Sequence, residues 1–254
     1  MDQSNKRNVL ASKINSVDKQ IAILTELKKK CLDQLNTLDS SPYDIQTTIA
    51  PIHLSLDEQV ALFKSYFHGR EDVYAKLWVN NRTGKRGYSP ACKNEWVHSL
   101  CRKGAVKCSE CPNREFIPFD ENAIRRHLSG EHIIGVYSML KNDNCHFLAI
   151  DFDKENWLDD IIVLKNICFE EDVLVAIERS RSGKGGHIWI FFSEEIPAAL
   201  ARRLGTYLIT KAMSRRYQID MKSYDRLFPN QDTMPKGGFG NLIALPFQKE
   251  AMIN

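Results

Sequence analysis

Apolar side chains recur at alternating steps of four and three residues in the first forty positions. The repeat runs from Leu10 to Leu38, and Lys28 is its one polar member. Because no proline or glycine interrupts it, this pattern predicts a coiled-coil helix over residues 8–38. Such a helix could form a homodimer, fold back as a helical hairpin or lie on the main domain. Residues 1–40 are therefore expected to be a separate N-terminal element.

A linker with serine and proline leads to a second region, residues 41–130, whose pattern is less regular. It predicts a short helix at about 56–67 and a polar turn region at 80–90. A further helix is expected to begin after Asp120, because an aspartate side chain can accept hydrogen bonds from the first helical turn.

Residues 131–254 alternate between apolar strand-like runs and amphipathic helices. Strands are predicted at 146–153, 173–177, 187–192 and 241–246, and helices at 158–168 and 198–217. This mixture predicts an α+β core.

The composition, with 43% hydrophobic and 26% charged residues, is that of a globular protein, and the net charge is +3. So small a charge is no argument for nucleic acid, but its distribution is uneven. Residues 201–236 contain eight Lys or Arg and three Asp, with no Glu. A basic segment suits a polyanionic partner, although a solvated helix face would look the same.

The chain has no apolar run that could span a membrane and no apolar signal core near Met1. We therefore expect a cytoplasmic protein without a membrane partner. In that compartment its seven cysteines should be thiols or metal ligands and not disulfides.

Asp151 and Asp153 end the apolar run 147–153. Alternate residues of a strand share a face, so the two carboxylates would stand side by side and repel unless a cation lies between them. Mg²⁺ or Mn²⁺ suits such ligands, and two ions could activate a hydroxyl and stabilise leaving pyrophosphate. On its own the pair could equally be a solvated strand end.

A basic, glycine-rich segment, residues 178–187, lies between two predicted strands. The candidate nucleotide-binding residues are Arg179, Arg181, Ser182, Gly183, Lys184, Gly185 and His187. Glycine lets the backbone bring N–H groups close to a phosphate, and the cations add attraction. The segment is not a Walker A loop, because it leads into a strand and its spacing differs. A basic hairpin turn without a ligand is the alternative.

Four thiols occur within twenty residues, at Cys92, Cys101, Cys108 and Cys111. The Cys-x2-Cys end and the number of thiols predict a tetrahedral structural Zn²⁺ site, with His98 as a substitute ligand. Lysines and arginines around the cluster suit a module that faces nucleic acid. Four free thiols are the alternative.

The order of Asp151-x-Asp153, the segment 182–187 and a later aspartate resembles the archaeo-eukaryotic primase superfamily. Within it, three stretches are most similar to the primases of TOTE conflict systems and to CRISPR-associated primase-polymerases: residues 176–183, 223–232 and 237–246. The resemblance covers roughly residues 62–248.

The resemblance implies an archaeo-eukaryotic primase core with an RRM-like sheet half and a second α/β half. Residues 131–254 would be the catalytic core, and residues 41–130 would be the N-terminal part of the primase module, including the zinc-binding module at 92–111. It also implies template-dependent nucleotidyl transfer that makes or extends primers, in a mobile-element or defence context. The implied partners are a single-stranded DNA or RNA template, a primer and nucleoside triphosphates, with a helicase or CRISPR-associated protein beside them.

For the site, the resemblance implies that Asp151 and Asp153 bind the catalytic metal ions and that His187 contacts the phosphates of the incoming nucleotide. We expect Asp232 as the third metal ligand, because family members place this aspartate shortly before a strand that ends in proline. Asp225 is the runner-up. Asp220 is a further candidate, and Lys222, Arg226 and Lys236 could hold template or phosphate.

Two other functions fit parts of the sequence. A non-catalytic, zinc-containing module would bind nucleic acid through the cysteine cluster and the basic helix. A metal-dependent nuclease would use similar carboxylates but would need no nucleoside triphosphates, and it leaves the glycine-rich segment without a function.

Overall fold

The structure is a computed structural model that describes residues 53–153, 156–216 and 227–249, together with seven helical residues among the first thirty. The chain divides into two units, Met1–His53 and Leu54–Asn254. In the first unit the seven residues are exposed. Most of the predicted coiled coil therefore lies outside the described residues, and the prediction remains open.

In the second unit the described residues form four α-helices, each close to a predicted one. They are α1 (Leu56–Tyr66), α2 (Glu121–Leu128), α3 (Trp157–Glu170) and α4 (Ala198–Arg215). Ser55 and Glu58 form a reciprocal capping box at the start of α1. The Asp120 side chain accepts a hydrogen bond of 2.9 Å from the Ala123 N–H at the start of α2. Both caps satisfy N–H groups that a helix start leaves without partners.

Eight strands form two four-stranded antiparallel sheets. The strands are β1 (Ala75–Val79), β2 (Arg86–Pro90), β3 (Ile134–Tyr137), β4 (Asn144–Phe152), β5 (Ala176–Arg179), β6 (Gly186–Pro197), β7 (Leu227–Phe228) and β8 (Leu242–Ala244). The first sheet has the order β2-β1-β3-β8 and the second has the order β5-β6-β4-β7. This mixed architecture confirms the predicted α+β class.

The second sheet is covered on both faces, because alternate residues of β4 belong to different hydrophobic clusters. Leu148 and Ile150 pack with buried residues of α3 and α4 such as Leu164 and Leu208. Phe147 and its alternate neighbours pack instead with residues of α1, α2 and the first sheet. Burial of both faces explains why β4 reads as a continuous apolar run.

The region 80–90 differs from the prediction of a turn, because its second half is strand β2. The turn itself is limited to residues 80–85, where the Asn80 side chain accepts hydrogen bonds from the N–H groups of Arg82 and Thr83. In β2, Gly87 lies opposite Trp78, and a Cβ at this glycine would lie 3.0 Å from the indole. Glycine is therefore used here for cross-strand packing.

No helix in the described part of the chain combines the length and the apolar character needed to cross a bilayer.

Candidate active site

Asp151 lies near the end of β4, directly opposite His187 of β6 in the strand register. His187 Nε2 is 3.5 Å from Asp151 Oδ1, and the Asp151 side chain is 27% exposed. Asp153 follows β4 and is exposed. The structure thus brings the first aspartate and the histidine together at one end of the second sheet, with the second aspartate two residues away.

His187 is held from its other side by Glu178 of β5. Glu178 Oε2 lies 2.9 Å from His187 Nδ1 and accepts a second hydrogen bond of 3.0 Å from the Trp189 indole N–H. Burial alone would lower the pKa of His187, but the hydrogen bond to Glu178 and the charges of Glu178 and Asp151 outweigh it and raise that pKa. The arrangement favours a protonated imidazole, a suitable partner for phosphate oxygens.

Sequence patterns assigned no role to Glu178, although it lies in the glycine-rich segment. Its function depends on the hairpin register, in which Glu178 pairs with His187 across β5 and β6. The sequence does contain a signal for this role: a carboxylate and a histidine lie at equal distances on either side of a tight loop. Opposite residues of antiparallel strands place their side chains in contact, so this spacing could have indicated the pair.

The predicted glycine-rich loop is the turn between β5 and β6, closed by Arg179 paired with Gly186. The Ser180 N–H donates to the Gly185 carbonyl and the Gly183 N–H donates to the Ser180 carbonyl, both at 2.8 Å. Gly183 has a φ of +70°, in the left-handed region that glycine tolerates. The Arg179 guanidinium donates to the Gly183 carbonyl at 3.2 Å, so Arg179 shapes the loop.

Arg181, Ser182 and Lys184 lie on the exposed part of the loop. The hydroxyls of Ser180 and Ser182 are 3.1 Å apart, and the Lys184 N–H donates to the Ser182 hydroxyl at 3.3 Å. These three side chains therefore present two positive charges and a hydroxyl at the tip of the hairpin.

Gly185 packs its backbone directly against the Asp-x-Asp segment. A Cβ at Gly185 would lie 2.4 Å from the Phe152 carbonyl oxygen and 3.2 Å from the Asp153 Cα. Only glycine fits here, so the predicted loop and the predicted acidic pair are neighbours in the structure.

Asp232 pairs with Arg202 of α4, and its side chain is 59% exposed. The other candidates, Asp220 and Asp225, lie outside the described residues, as do Lys222 and Arg226. Within residues 53–153, 156–216 and 227–249, no three His, Cys, Asp or Glu side chains are arranged to hold a metal ion.

The four predicted zinc ligands line one small cavity of about 30 Å³. They are free thiols of intermediate burial: Cys92, Cys101, Cys108 and Cys111. Burial raises the pKa of the Cys108 thiol; the charge of Lys103 opposes this increase, and the three other cysteines add to it. The structure brings the four cysteines around one space, although their thiols do not adopt a ligating geometry. His98 is exposed and does not line the cavity.

Residues 58–254 match the family model AEP-TOTE, which describes the archaeo-eukaryotic primase domain of TOTE conflict systems. No curated protein matches the chain. Among solved structures, the chain is similar to the polymerase domain from Mycobacterium tuberculosis ligase D in complex with DNA. That similarity covers 63% of this chain and 60% of the other, with 13% sequence identity and a TM-score of 0.38. The assignment to a family therefore rests on the family match alone.

Proposed function

Since the chain belongs to the family of archaeo-eukaryotic primase domains of TOTE conflict systems, we propose that it is a primase-polymerase that joins nucleotides on a nucleic-acid template. The observation that carries this proposal is the contact of Asp151 with His187 beside the glycine-rich loop. In this arrangement the loop would bind the phosphates of a nucleoside triphosphate. A nuclease or a non-catalytic binding module has no need of such a loop. The direct test is primer extension with template, each nucleotide set and Mn²⁺ or Mg²⁺. Template-directed product would support the proposal, and its absence with both nucleotide sets would contradict it.

Asp151 and Asp153 would hold the divalent cations. Their carboxylates are hard oxygen ligands that suit Mg²⁺ or Mn²⁺. The backbone of Gly185 packs against Phe152 and Asp153, so the acidic pair lies beside the glycine-rich loop. Bound Mg²⁺ or Mn²⁺ would lower the pKa of an attacking 3′-hydroxyl and offset charge on the reacting phosphate.

His187 would bind a phosphate oxygen of the incoming nucleotide, with its orientation fixed by Glu178. The exposed side chains of Arg181, Ser182 and Lys184 would hold the rest of the triphosphate. Groups that are already oriented stabilise developing charge without reorganising during the reaction.

For the third carboxylate we favour Asp225 over Asp232. Asp232 is engaged by Arg202. Leu227, the first residue of β7, pairs with Ile150, the neighbour of Asp151. Asp225 precedes Leu227 by two positions in the sequence.

Replacing Glu178 with alanine should reduce nucleotide incorporation by about 10- to 100-fold, because His187 and Trp189 both lose their shared acceptor. Glutamine at the same position retains an acceptor oxygen and removes the charge, so it should recover part of the activity. Steady-state primer extension over a range of nucleotide concentrations measures both variants. A role in positioning predicts a lower kcat for the alanine variant, whereas equal activity in both variants and the unchanged chain would refute it.

We further propose that the four cysteines bind one structural Zn²⁺. Four thiols are a complete tetrahedral donor set, and the cavity that they line is of the size of a single small ligand. Binding would require the thiols to close around the ion and lose their protons, in line with the coupling of metal binding to folding in small modules.

Metal analysis of the purified chain should therefore find about one zinc per molecule. The double substitution of Cys108 and Cys111 by serine should remove it and lower the melting temperature. Serine at Cys145, which is buried in the core of the second sheet, is the matched control and should keep the zinc. A zinc content near zero in the unchanged protein, purified without chelator, would contradict the site.

A further inference from the structure

Asn241 connects the two sheets and takes no part in the proposed chemistry. It lies directly before β8 of the first sheet, and its side chain reaches β7 of the second. The preceding residue, Gly240, has a φ of +77°, in the left-handed region that glycine tolerates. This Gly-Asn pair belongs to residues 237–246, one of the stretches that carry the family resemblance. A side chain at the start of β8 thus bears directly on the second sheet.

The amide of Asn241 provides partners for both ends of the bend that follows β7. Its Nδ2 donates a hydrogen bond of 2.9 Å to the Leu227 carbonyl, and its Oδ1 accepts one of 3.2 Å from the Asn230 N–H. The Ser138 hydroxyl donates to the same Oδ1 at 3.4 Å. Leu227 and Ser138 are buried. Because a buried backbone group without a partner is costly, this one amide holds the end of β7 in place.

Strand β7 has few other hydrogen bonds that fix its position. It consists of two residues at the edge of the second sheet, and it pairs with Ala149 and Ile150 of β4. The side chain of Leu227 packs in the core against Gly205 of α4, but apolar packing is not directional. The register of so short a strand therefore depends on the amide of Asn241.

We propose that Asn241 is a positioning residue of the active site, which acts by fixing β7 against β4. Ile150, the partner of Leu227, is the neighbour of Asp151, so a shift of β7 changes the support of β4 directly before that carboxylate. The inference rests on the proposed function, in which Asp151 holds a divalent cation. Displacements of about 1 Å in groups that hold metal and substrate reduce a reaction rate by up to about a hundredfold.

Asn241→Ala removes both backbone hydrogen bonds. It should lower kcat for primer extension about 10- to 100-fold. The Mn²⁺ concentration that gives half-maximal activity should rise about tenfold, the usual effect of losing a residue that supports metal ligands. The KM for the nucleotide should change less than about threefold. His187 and the glycine-rich loop lie on the other side of β4, where β6 pairs with it.

Two control variants separate positioning from a general loss of stability. His127→Ala removes a buried side chain that is hydrogen-bonded to the Pro246 carbonyl, so it destabilises the fold without removing a contact of β7. Ser138→Ala removes the longest of the three contacts of Asn241. At a temperature at which all variants are folded, both controls should keep kcat and the Mn²⁺ requirement within about twofold. A loss in His127→Ala as large as that in Asn241→Ala would overturn the inference.

Hydrogen exchange read by mass spectrometry tests the fixing of β7 without an activity assay. The peptide that contains residues 227–230 should exchange faster in Asn241→Ala than in the unchanged chain and in His127→Ala. Equal exchange of this peptide in all three proteins would overturn the inference.

Binding of Mn²⁺, followed by electron paramagnetic resonance without nucleotide or template, separates this inference from the proposed function. A chain that extends primers, but keeps its kcat and its Mn²⁺ affinity in Asn241→Ala, retains the polymerase and loses the positioning role. A chain that extends no primer contradicts the polymerase, and a Mn²⁺ affinity about tenfold weaker in Asn241→Ala would then still support the positioning role. Without primer extension, equal Mn²⁺ affinities, or no Mn²⁺ binding at all, would overturn both.

Discussion

Asparagine in place of Asp151 is expected to reduce nucleotidyl transfer by about a thousandfold or more, with the fold intact. The substitution keeps the shape of the side chain but removes the charge that would hold a divalent cation beside His187. Asp153→Asn should have an effect of the same order. Primer extension in Mn²⁺ gives the activity, and circular dichroism during heating shows whether each variant remains folded.

Asp159→Asn is the matched control, because Asp159 is an exposed acid of α3 whose contact is with Arg216. It should leave activity unchanged. In the same assay, Asp225→Asn should cause a loss like that of Asp151→Asn, and Asp232→Asn a loss below about tenfold. Full activity in both the Asp151 and Asp153 variants would refute the metal assignment. A larger loss of activity in the Asp232 variant than in the Asp225 variant would favour Asp232 as the third ligand.

Alanine in place of His127 is expected to lower the free energy of unfolding by about 3 kcal/mol. His127 is fully buried. Its Nε2 lies 2.8 Å from the Pro246 carbonyl oxygen, and its Nδ1 accepts a hydrogen bond of 3.3 Å from the Ile134 N–H. Alanine would leave both backbone groups buried without a partner. Urea unfolding measures this loss. The control is His132→Ala, which removes a partly exposed histidine nearby in the sequence. It should lower the free energy of unfolding by only about 0.5 kcal/mol, the usual size for surface substitutions.

The same histidine makes stability depend on pH. Burial lowers the pKa of His127, against the smaller opposite effect of its hydrogen bond to Pro246. In the unfolded chain this imidazole takes up a proton near pH 6.5, so below about that pH the unfolded state binds more protons than the folded state. Stability should therefore fall as the pH decreases from about 6.5. Unfolding at several pH values should show a shallower decrease for His127→Ala than for His132→Ala, and equal slopes would contradict this account.

Sequence patterns predicted those parts of the fold in which local chemistry and burial agree. Asp120 caps α2 as expected, because capping depends on the next three residues alone. The apolar run 146–153 is strand β4, shifted by one or two residues, since both of its faces are buried. The glycine-rich segment lies between two strands as predicted, and the structure pairs these strands as the hairpin β5–β6.

Features that depend on distant contacts were missed. Strands β1 and β2 went unpredicted, since Gly84 and Gly87 read as turn residues while the fit of Gly87 against Trp78 appears only once the strands pair. The orienting role of Glu178 depends on the β5–β6 register. The pairing of Asp232 with Arg202 of α4 could not be read from local sequence either, and the identity of the third metal ligand stays a prediction.

The absence of a side chain at Gly185 determines how the site can vary. The Phe152 carbonyl occupies the space that a Cβ at residue 185 would need. The distance between the glycine-rich loop and the acidic strand is therefore set by direct contact between two backbone segments. Arg181, Ser182 and Lys184 are therefore free to differ in size and charge among related enzymes without altering that spacing. In the proposed site, the loop's side chains would therefore tune substrate affinity, while the width available to the reacting phosphates would stay constant.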